Sequence, residues 1–163
     1  MGETEFWDEF MTIGKNRQPA GKIHFEKSWD ETIDIYNDMA NRQDLHLTAE
    51  QSRNQKRFDI KEADFLAPDG VMTGKLLDGK YATARSAGNY LAGLNGRTGN
   101  FQGSRISRDT FMKLAGVLNQ KKYSKFNASR IVTYGASFGP APYFGEDEYS
   151  GRMILNGWNS KRK

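Results

Sequence analysis

Cysteine is absent from this 163-residue chain, and histidine occurs only twice. Without cysteine there is no disulfide, no thiol nucleophile and no cysteine-ligated zinc or iron–sulfur centre. A thiol-free chain suits an oxidising or a reducing compartment equally. The two imidazoles, His24 and His46, fall outside any helix-face pair and read as surface or packing residues rather than catalysts. No apolar run approaches the roughly 18–20 residues that a membrane-spanning helix needs. The first 25 residues lack a charged start followed by an apolar stretch, so no classical secretion signal is expected. The chain also lacks a Walker A loop, an H-E-x-x-H pair, a G-x-S-x-G elbow and an EF-hand loop. Gly96–Gly103 is glycine-rich, but its order is not that of a dinucleotide fingerprint.

What is present supports one core. Hydrophobic residues make up 37% and aromatics 12%, too much of both for a disordered chain, although the mean hydropathy of −0.77 is polar. The length fits one compact domain over 1–163, and no repeat or linker divides it. The net charge of +4 hides an asymmetry. Residues 1–80 hold 11 basic and 16 acidic side chains, net −5, and residues 81–163 hold 13 and 4, net +9. Such a basic half attracts a nucleic acid, an anionic wall polymer or an acidic protein, unless it folds against the acidic half.

Apolar spacing and turn chemistry then place the elements. Residues 3–14 carry Phe6, Trp7, Phe10, Met11 and Ile13 near helical spacing, and 15–22 read as a loop. Ser28-Trp29-Asp30-Glu31 is a capping-box pattern opening a helix to about Gln43, with Trp29, Ile33, Tyr36 and Ala40 on one face. Thr48-Ala49-Glu50-Gln51 repeats the pattern before a polar stretch to Arg57. Pro68-Asp69-Gly70 and Asp78-Gly79 are turns, so 64–80 reads as a short hairpin or irregular loop. Residues 83–95 form a helix of small residues, whose glycines imply close packing or a ligand's approach, and 96–106 a loop. Ser107 caps the next helix, with Phe111, Leu114, Ala115 and Leu118 as its buried stripe. Residues 131–138 are β-prone, 139–145 form a rigid turn, and 146–158 a last helix opening on three acids. The tail 160–163 is expected to fray. The sum is a mainly α chain with a minor β element (α+β).

Three groups of residues can carry chemistry. Arg85 and Asn89, at i and i+4, share a helix face and suit a phosphate or oxyanion clamp. Glu146, Asp147 and Glu148 cluster after the Gly139–Gly145 turn. Grouped carboxylates can shift one another's pKa to supply an acid beside a base, or hold a divalent metal such as Mg²⁺ or Ca²⁺ through oxygen. They also suit a helix N-terminus with no catalytic role. The basic segment 85–130, which includes Arg97, Arg105, Arg108, Lys121 and Lys122, is interleaved with Tyr90, Phe101, Phe111, Tyr123 and Phe126, although the spacing of Phe111 points it into a helix core. Cations with aromatics are the usual recipe for binding single-stranded nucleic acid.

Thr83-Ala84-Arg85-Ser86-Ala87-Gly88-Asn89-Tyr90-Leu91-Ala92-Gly93 resembles the central (D/S)-x-G-N-x-x-x-G motif of polymorphic-toxin C-terminal domains of the kind called type 44. Ala115-Gly116 matches their downstream Ala-Gly pair. Pro142-Tyr143-Phe144-Gly145-Glu146-Asp147-Glu148-Tyr149 stands where they carry a Pro-Tyr-Gly-Asp-Asp-Pro turn leading into the last helix. The resemblance runs over residues 78–158. Ser86 stands where an acid is often found, and Glu148 replaces the final proline. The resemblance implies an antibacterial effector, secreted or delivered into a target bacterial cell by a contact-dependent or type VI system. It also implies a cognate immunity protein. Its chemistry stays open among nucleases, wall hydrolases, lipases and NAD hydrolases.

The resulting expectation is a toxin domain that hydrolyses an anionic polymer, with nucleic acid ahead of other polymers. Arg85 and Asn89 would clamp the phosphate or oxyanion. Glu146 or Asp147 would act as base or acid, and Arg97, Arg105, Arg108, Lys121 and Lys122 would hold the polymer. Two alternatives stand beside it. One is a hydrolase of the cell envelope, acting on peptidoglycan or its lipid precursor. The other is a non-enzymatic basic binding module.

Overall fold

The computed structural model describes residues 22–52, 58–60, 66–70 and 73–162. The helix expected over 3–14, the loop over 15–21 and the polar stretch 53–57 lie outside these residues. Strands β1 (Lys22–Ser28), β2 (Thr73–Leu77) and β3 (Lys80–Thr83) form a sheet in that order. The helices are α1 (Asp30–Ala40), α2 (Leu45–Gln51), α3 (Ala84–Thr98), α4 (Arg108–Asn119), α5 (Lys125–Tyr134) and α6 (Glu148–Trp158). The chain is mainly α with a minor β element, as its sequence indicates.

The hairpin forms where turn chemistry dictates. Asp78 and Gly79 both take positive φ (51° and 83°), the left-handed pair that matches strand twist in a two-residue turn. They join β2 antiparallel to β3, with Leu77 opposite Lys80 and Gly74 opposite Thr83. β1, which no sequence pattern marked, adds in parallel on the far side of β2, with an irregular register between Ile23 and Ser28. Trp29 then turns the chain inward. Its backbone N–H donates to Leu76 O (2.7 Å), its indole Nε1 donates to Ala82 O (2.9 Å), and its ring is fully buried. With Ile33 of α1 and Tyr90, Leu91 and Leu94 of α3 it forms the main core.

Several helix ends differ from their sequence signals. Ser28 does not close a capping box. Its hydroxyl accepts from Asp30 N–H (3.0 Å), and α1 stops at Ala40 rather than near Gln43. α2 starts at Leu45, capped by Asp44, whose carboxylate accepts from His46 N–H (2.8 Å); Thr48, expected as a cap, is buried inside it. α3 runs past Asn95 to Thr98. Its extension through Gly96 follows from packing, because a Cβ there would lie 2.6 Å from the Phe111 ring. The segment 131–138, expected as a strand, instead forms the last turn of α5 and the start of the loop beyond it. Ser124 caps α5, accepting from Asn127 N–H (3.0 Å), Ala128 and Ile131 bury one face, and Gly135 ends it at φ 70°. Burial of that face outweighs the β preference of Ile131-Val132-Thr133.

Glycine sets the closest helix contact. A Cβ on Gly93 would lie 1.8 Å from Ile154 O, and one on Gly157 would lie 1.9 Å from Tyr90 O. α3 and α6 therefore cross backbone to backbone, and the last helix is locked along the small-residue helix.

The tail does not fray at Arg162. Its guanidinium donates to Asp34 Oδ1 (2.6 Å), to Asp78 Oδ1 (2.7 Å) and to Asp30 Oδ1, and sits over the Tyr90 ring at 5.8 Å. Burial works against the charge, but the Tyr90 hydroxyl and the three carboxylates outweigh it and hold Arg162 more firmly protonated than usual. The carboxylates are 41–66% exposed, so water screens each pair. Arg162→Ala is expected to lower stability by about 1–2 kcal/mol, and less at high salt. Urea unfolding at low and high ionic strength measures both.

Candidate active site

Between α2, α3, α4 and the start of α6 lies a cavity of about 870 Å³. It brings together groups that lie some 60 residues apart in sequence. Arg85 and Asn89 line it from α3, and Glu146 and Asp147 from the entry to α6. The i, i+3, i+4, i+7 face of α3 supplies Arg85, Gly88, Asn89 and Ala92. Gly88 opens this wall: a Cβ there would meet nothing within 4 Å. The two roles proposed for glycine in this helix are thus divided, Gly93 for packing and Gly88 for space.

The 139–145 turn fixes the carboxylates. Gln120 Nε2 donates to Phe138 O (2.8 Å) and Asn119 Nδ2 to Gly145 O (3.1 Å), tying the turn to the end of α4. Gly116 lets Phe144 dock there, since a Cβ would lie 1.9 Å from Phe144 O. Glu146 comes directly after, with its N–H donating to Tyr143 O (3.0 Å).

The two acids have opposite environments. Asp147 is the α6 cap, its Oδ1 accepting from Ser150 N–H (3.0 Å). Arg85 Nη2 donates to Asp147 Oδ2 and to Ser150 Oγ, both at 3.1 Å. Partial burial would raise the Asp147 pKa, but the Ser150 hydrogen bonds and Arg85 overcome it and hold the carboxyl below its ordinary value. Glu146 is the reverse. Burial pushes it up to about 7, and the Asp147 charge adds to this, against the pull of the Asp147 N–H, which donates to Glu146 Oε1 (3.0 Å), and of Arg85. The site therefore holds a permanent anion paired to arginine beside a carboxyl that exchanges its proton near neutral pH. Adjacent groups with pKa values driven apart are what acid–base chemistry requires. Asp147, offered as an acid or base, caps α6 and pairs with Arg85, and of the two acids Glu146 is the one whose carboxyl is pushed up towards neutrality.

The cations expected to hold a polymer are dispersed. Lys121 lines the cavity, exposed and at φ 60°, a backbone position where glycine is usual. Arg97 reaches the tail, donating to Arg162 O, and Arg105 Nη1 donates to Arg97 O (2.6 Å). Arg108 lies beside Trp158 at a separate small hollow, and Lys122 is exposed outside the cavity. Glu148 is the first residue of α6. His24 pairs with Asp69 at 2.6 Å, and His46 Nδ1 hydrogen-bonds Tyr123 Oη at 2.7 Å. Among the described residues no cluster of three or more His, Asp or Glu is spaced to hold a metal ion.

Sequence reasoning missed most of the cavity wall. Of the stripe expected as buried core of α4, Leu114 is buried as expected and also touches the cavity, whereas Phe111, Ala115 and Leu118 are half-buried in its wall. The residues of α4 buried most deeply include Met112 and Val117. Asp59 and Asn95 also line it, and nothing in their local sequence marks them; Phe101, one of the aromatics interleaved with the basic segment, lines it as well. Comparison of the chain with family models, curated proteins and solved structures finds no match.

Proposed function

We propose that this chain is a hydrolytic antibacterial toxin domain acting on an anionic polymer, with nucleic acid as the favoured substrate. The convergence of Arg85, Asn89, Glu146 and Asp147 on one cavity carries the reading. Glu146 takes a proton from the attacking water and gives it to the leaving oxygen as that bond breaks, as a group titrating near 7 can do in either direction. Asp147 holds Arg85 in place, and Arg85 with Asn89 stabilises the charge growing on the attacked group's oxygens. Lys121 attracts the polymer. The toxin role rests on the resemblance of residues 83–93 and 142–149, which also brings in delivery to a target cell and an immunity protein. A hydrolase of the envelope is the second reading, favoured by the apolar part of the lining, Leu45, Ile60, Leu91, Leu114 and Ile154.

Bacterial growth after induction of the chain, with and without a periplasmic signal peptide, tests this. Arrest without the signal, with degraded RNA or DNA, is the expected result. Arg85→Ala and Asn89→Ala should each relieve it while preserving the folded circular-dichroism spectrum. Arrest only with the signal would favour the envelope, and absence of arrest in both compartments would remove the toxin role. Full killing by both variants would remove the site.

A further inference from the structure

The cavity is larger than the proton-transfer chemistry at its edge requires. It lies within the roughly 300–1,000 Å³ typical of small-molecule sites. Its walls combine three kinds of group. Phe58, Phe101 and Phe111 line it, and each is held by a second ring: Tyr36 at 5.6 Å, His46 at 6.4 Å and Trp158 at 5.6 Å. Asn95 lines it too, only 2% exposed. Its Oδ1 accepts from Asn37 Nδ2 (2.8 Å), and no hydrogen bond among the described residues uses its Nδ2. Where the lining reaches solvent stand the exposed Lys121 and Arg85, the latter 40% exposed and ion-paired with Asp147.

A ligand that fills the cavity strips water from this amide N–H, and that costs free energy unless the ligand accepts from it. An acyl chain would leave Asn95 unpaired among apolar walls. A flat heteroaromatic ring satisfies both features, since its faces suit phenylalanine and its edge carries acceptors. An anion attached to that ring then meets Arg85 and Lys121. We propose that the cavity receives one nucleobase of a single-stranded nucleic acid, with Asn95 reading an acceptor on the base and Arg85 and Lys121 facing its phosphate. This rests on the nucleic-acid form of the proposed function and adds to it a base-binding site next to Glu146. Gly88 is the residue that admits the ring, because the space beside it is empty.

Calorimetric titration of the protein with the four ribonucleoside 5′-monophosphates, ribose 5-phosphate and dodecanoate tests the site. At least one nucleotide should bind more tightly than ribose 5-phosphate by about tenfold or more, the contribution of one stacked base. Gly88→Leu, which fills the cavity from an open helix position, should abolish that preference and leave the melting temperature at or above that of the parent protein. Asn95→Leu should weaken the preferred nucleotide and reduce discrimination among the four. Because Asn95 also bonds Asn37, the Gly88 variant decides the matter if the Asn95 variant does not fold. Equal binding of nucleotide and ribose 5-phosphate would overturn the proposal. So would unchanged nucleotide binding in Gly88→Leu, or binding of dodecanoate with no nucleotide bound. Each of those results leaves hydrolysis dependent on Glu146 standing, so loss of the base site is distinguishable from loss of the proposed function.

Discussion

Glu146→Gln is expected to reduce hydrolysis by about 10²–10⁴-fold, the range for removing a general acid–base group, without loss of fold. Glutamine keeps the shape and can still accept the Asp147 N–H, but cannot exchange a proton. On the proposed function, the parent protein should show a rate that rises with pH through about 7 if Glu146 acts as the base in the rate-limiting step. If it acts there as the acid, the rate should fall through the same value. The Gln variant should show neither limb. Stability moves the opposite way. The folded protein holds the Glu146 proton more tightly than the unfolded chain, so this group costs stability as pH rises from its ordinary 4.5 towards about 7. Above that window the Gln variant should melt no lower than the parent. A variant that is inactive but equally or more stable is the signature of a group kept for chemistry. Full activity in Glu146→Gln, or a parent rate flat across neutral pH, would remove Glu146 from the reaction.

The second large effect is structural. Gly93→Ala and Gly157→Ala are each expected to cost more than about 3 kcal/mol, beyond the usual range for overpacking. The added methyl meets backbone carbonyls at 1.8 and 1.9 Å, and a carbonyl cannot rotate away as a side-chain tip can. At about 2–4 °C per kcal/mol for a chain of this size, the melting temperature should fall by roughly 6–12 °C or more. Gly88→Ala, in the same helix, should do the reverse. Its methyl meets nothing, and alanine is favoured over glycine in a helix by about 1 kcal/mol. Thermal melts of the three variants read by circular dichroism check the opposed signs. Equal effects at 88 and 93 would mean that α3 and α6 do not meet as described.

The pattern of what the sequence reveals depends on the range of each interaction. Asp78-Gly79, Ser107 and the helix as far as Asn95 are legible because their causes lie within a few residues: a left-handed turn pair, a hydroxyl on a nearby amide, a run of small side chains. β1 is not, since its partner β2 lies about 50 residues away and its own side chains do not alternate cleanly. The 131–134 turn misleads because β-branched residues state a local preference, whereas Ser124, Gly135 and the burial of Ala128 and Ile131 decide the outcome. At the site, Arg85 with Asn89 and Glu146 with Asp147 are recognisable as chemical pairs by proximity in sequence. Their meeting depends on the Gly93 and Gly157 crossing: the small-residue run marks α3 for close packing, but its partner on α6 lies some 60 residues away. The α4 stripe shows a different limit. Periodicity reports which side of a helix is apolar, and a core and an apolar-walled cavity make the same demand.

The Arg162 clasp orders folding in time. Asp30 and Asp34 on α1 and Asp78 in the hairpin turn leave the ribosome long before their common partner, and the Arg162–Asp30 contact spans 132 residues. Until that cation emerges, the three carboxylates repel one another, and the seam between α1 and the hairpin rests on Trp29 and on the Asp78 N–H, which donates to Asp30 Oδ1 (3.3 Å). Closing so long a loop is slow and comes after the local helices and the turn. A nascent chain halted before Arg162 therefore carries every described residue that lines the cavity, yet lacks the cation that pairs α1 with the hairpin turn.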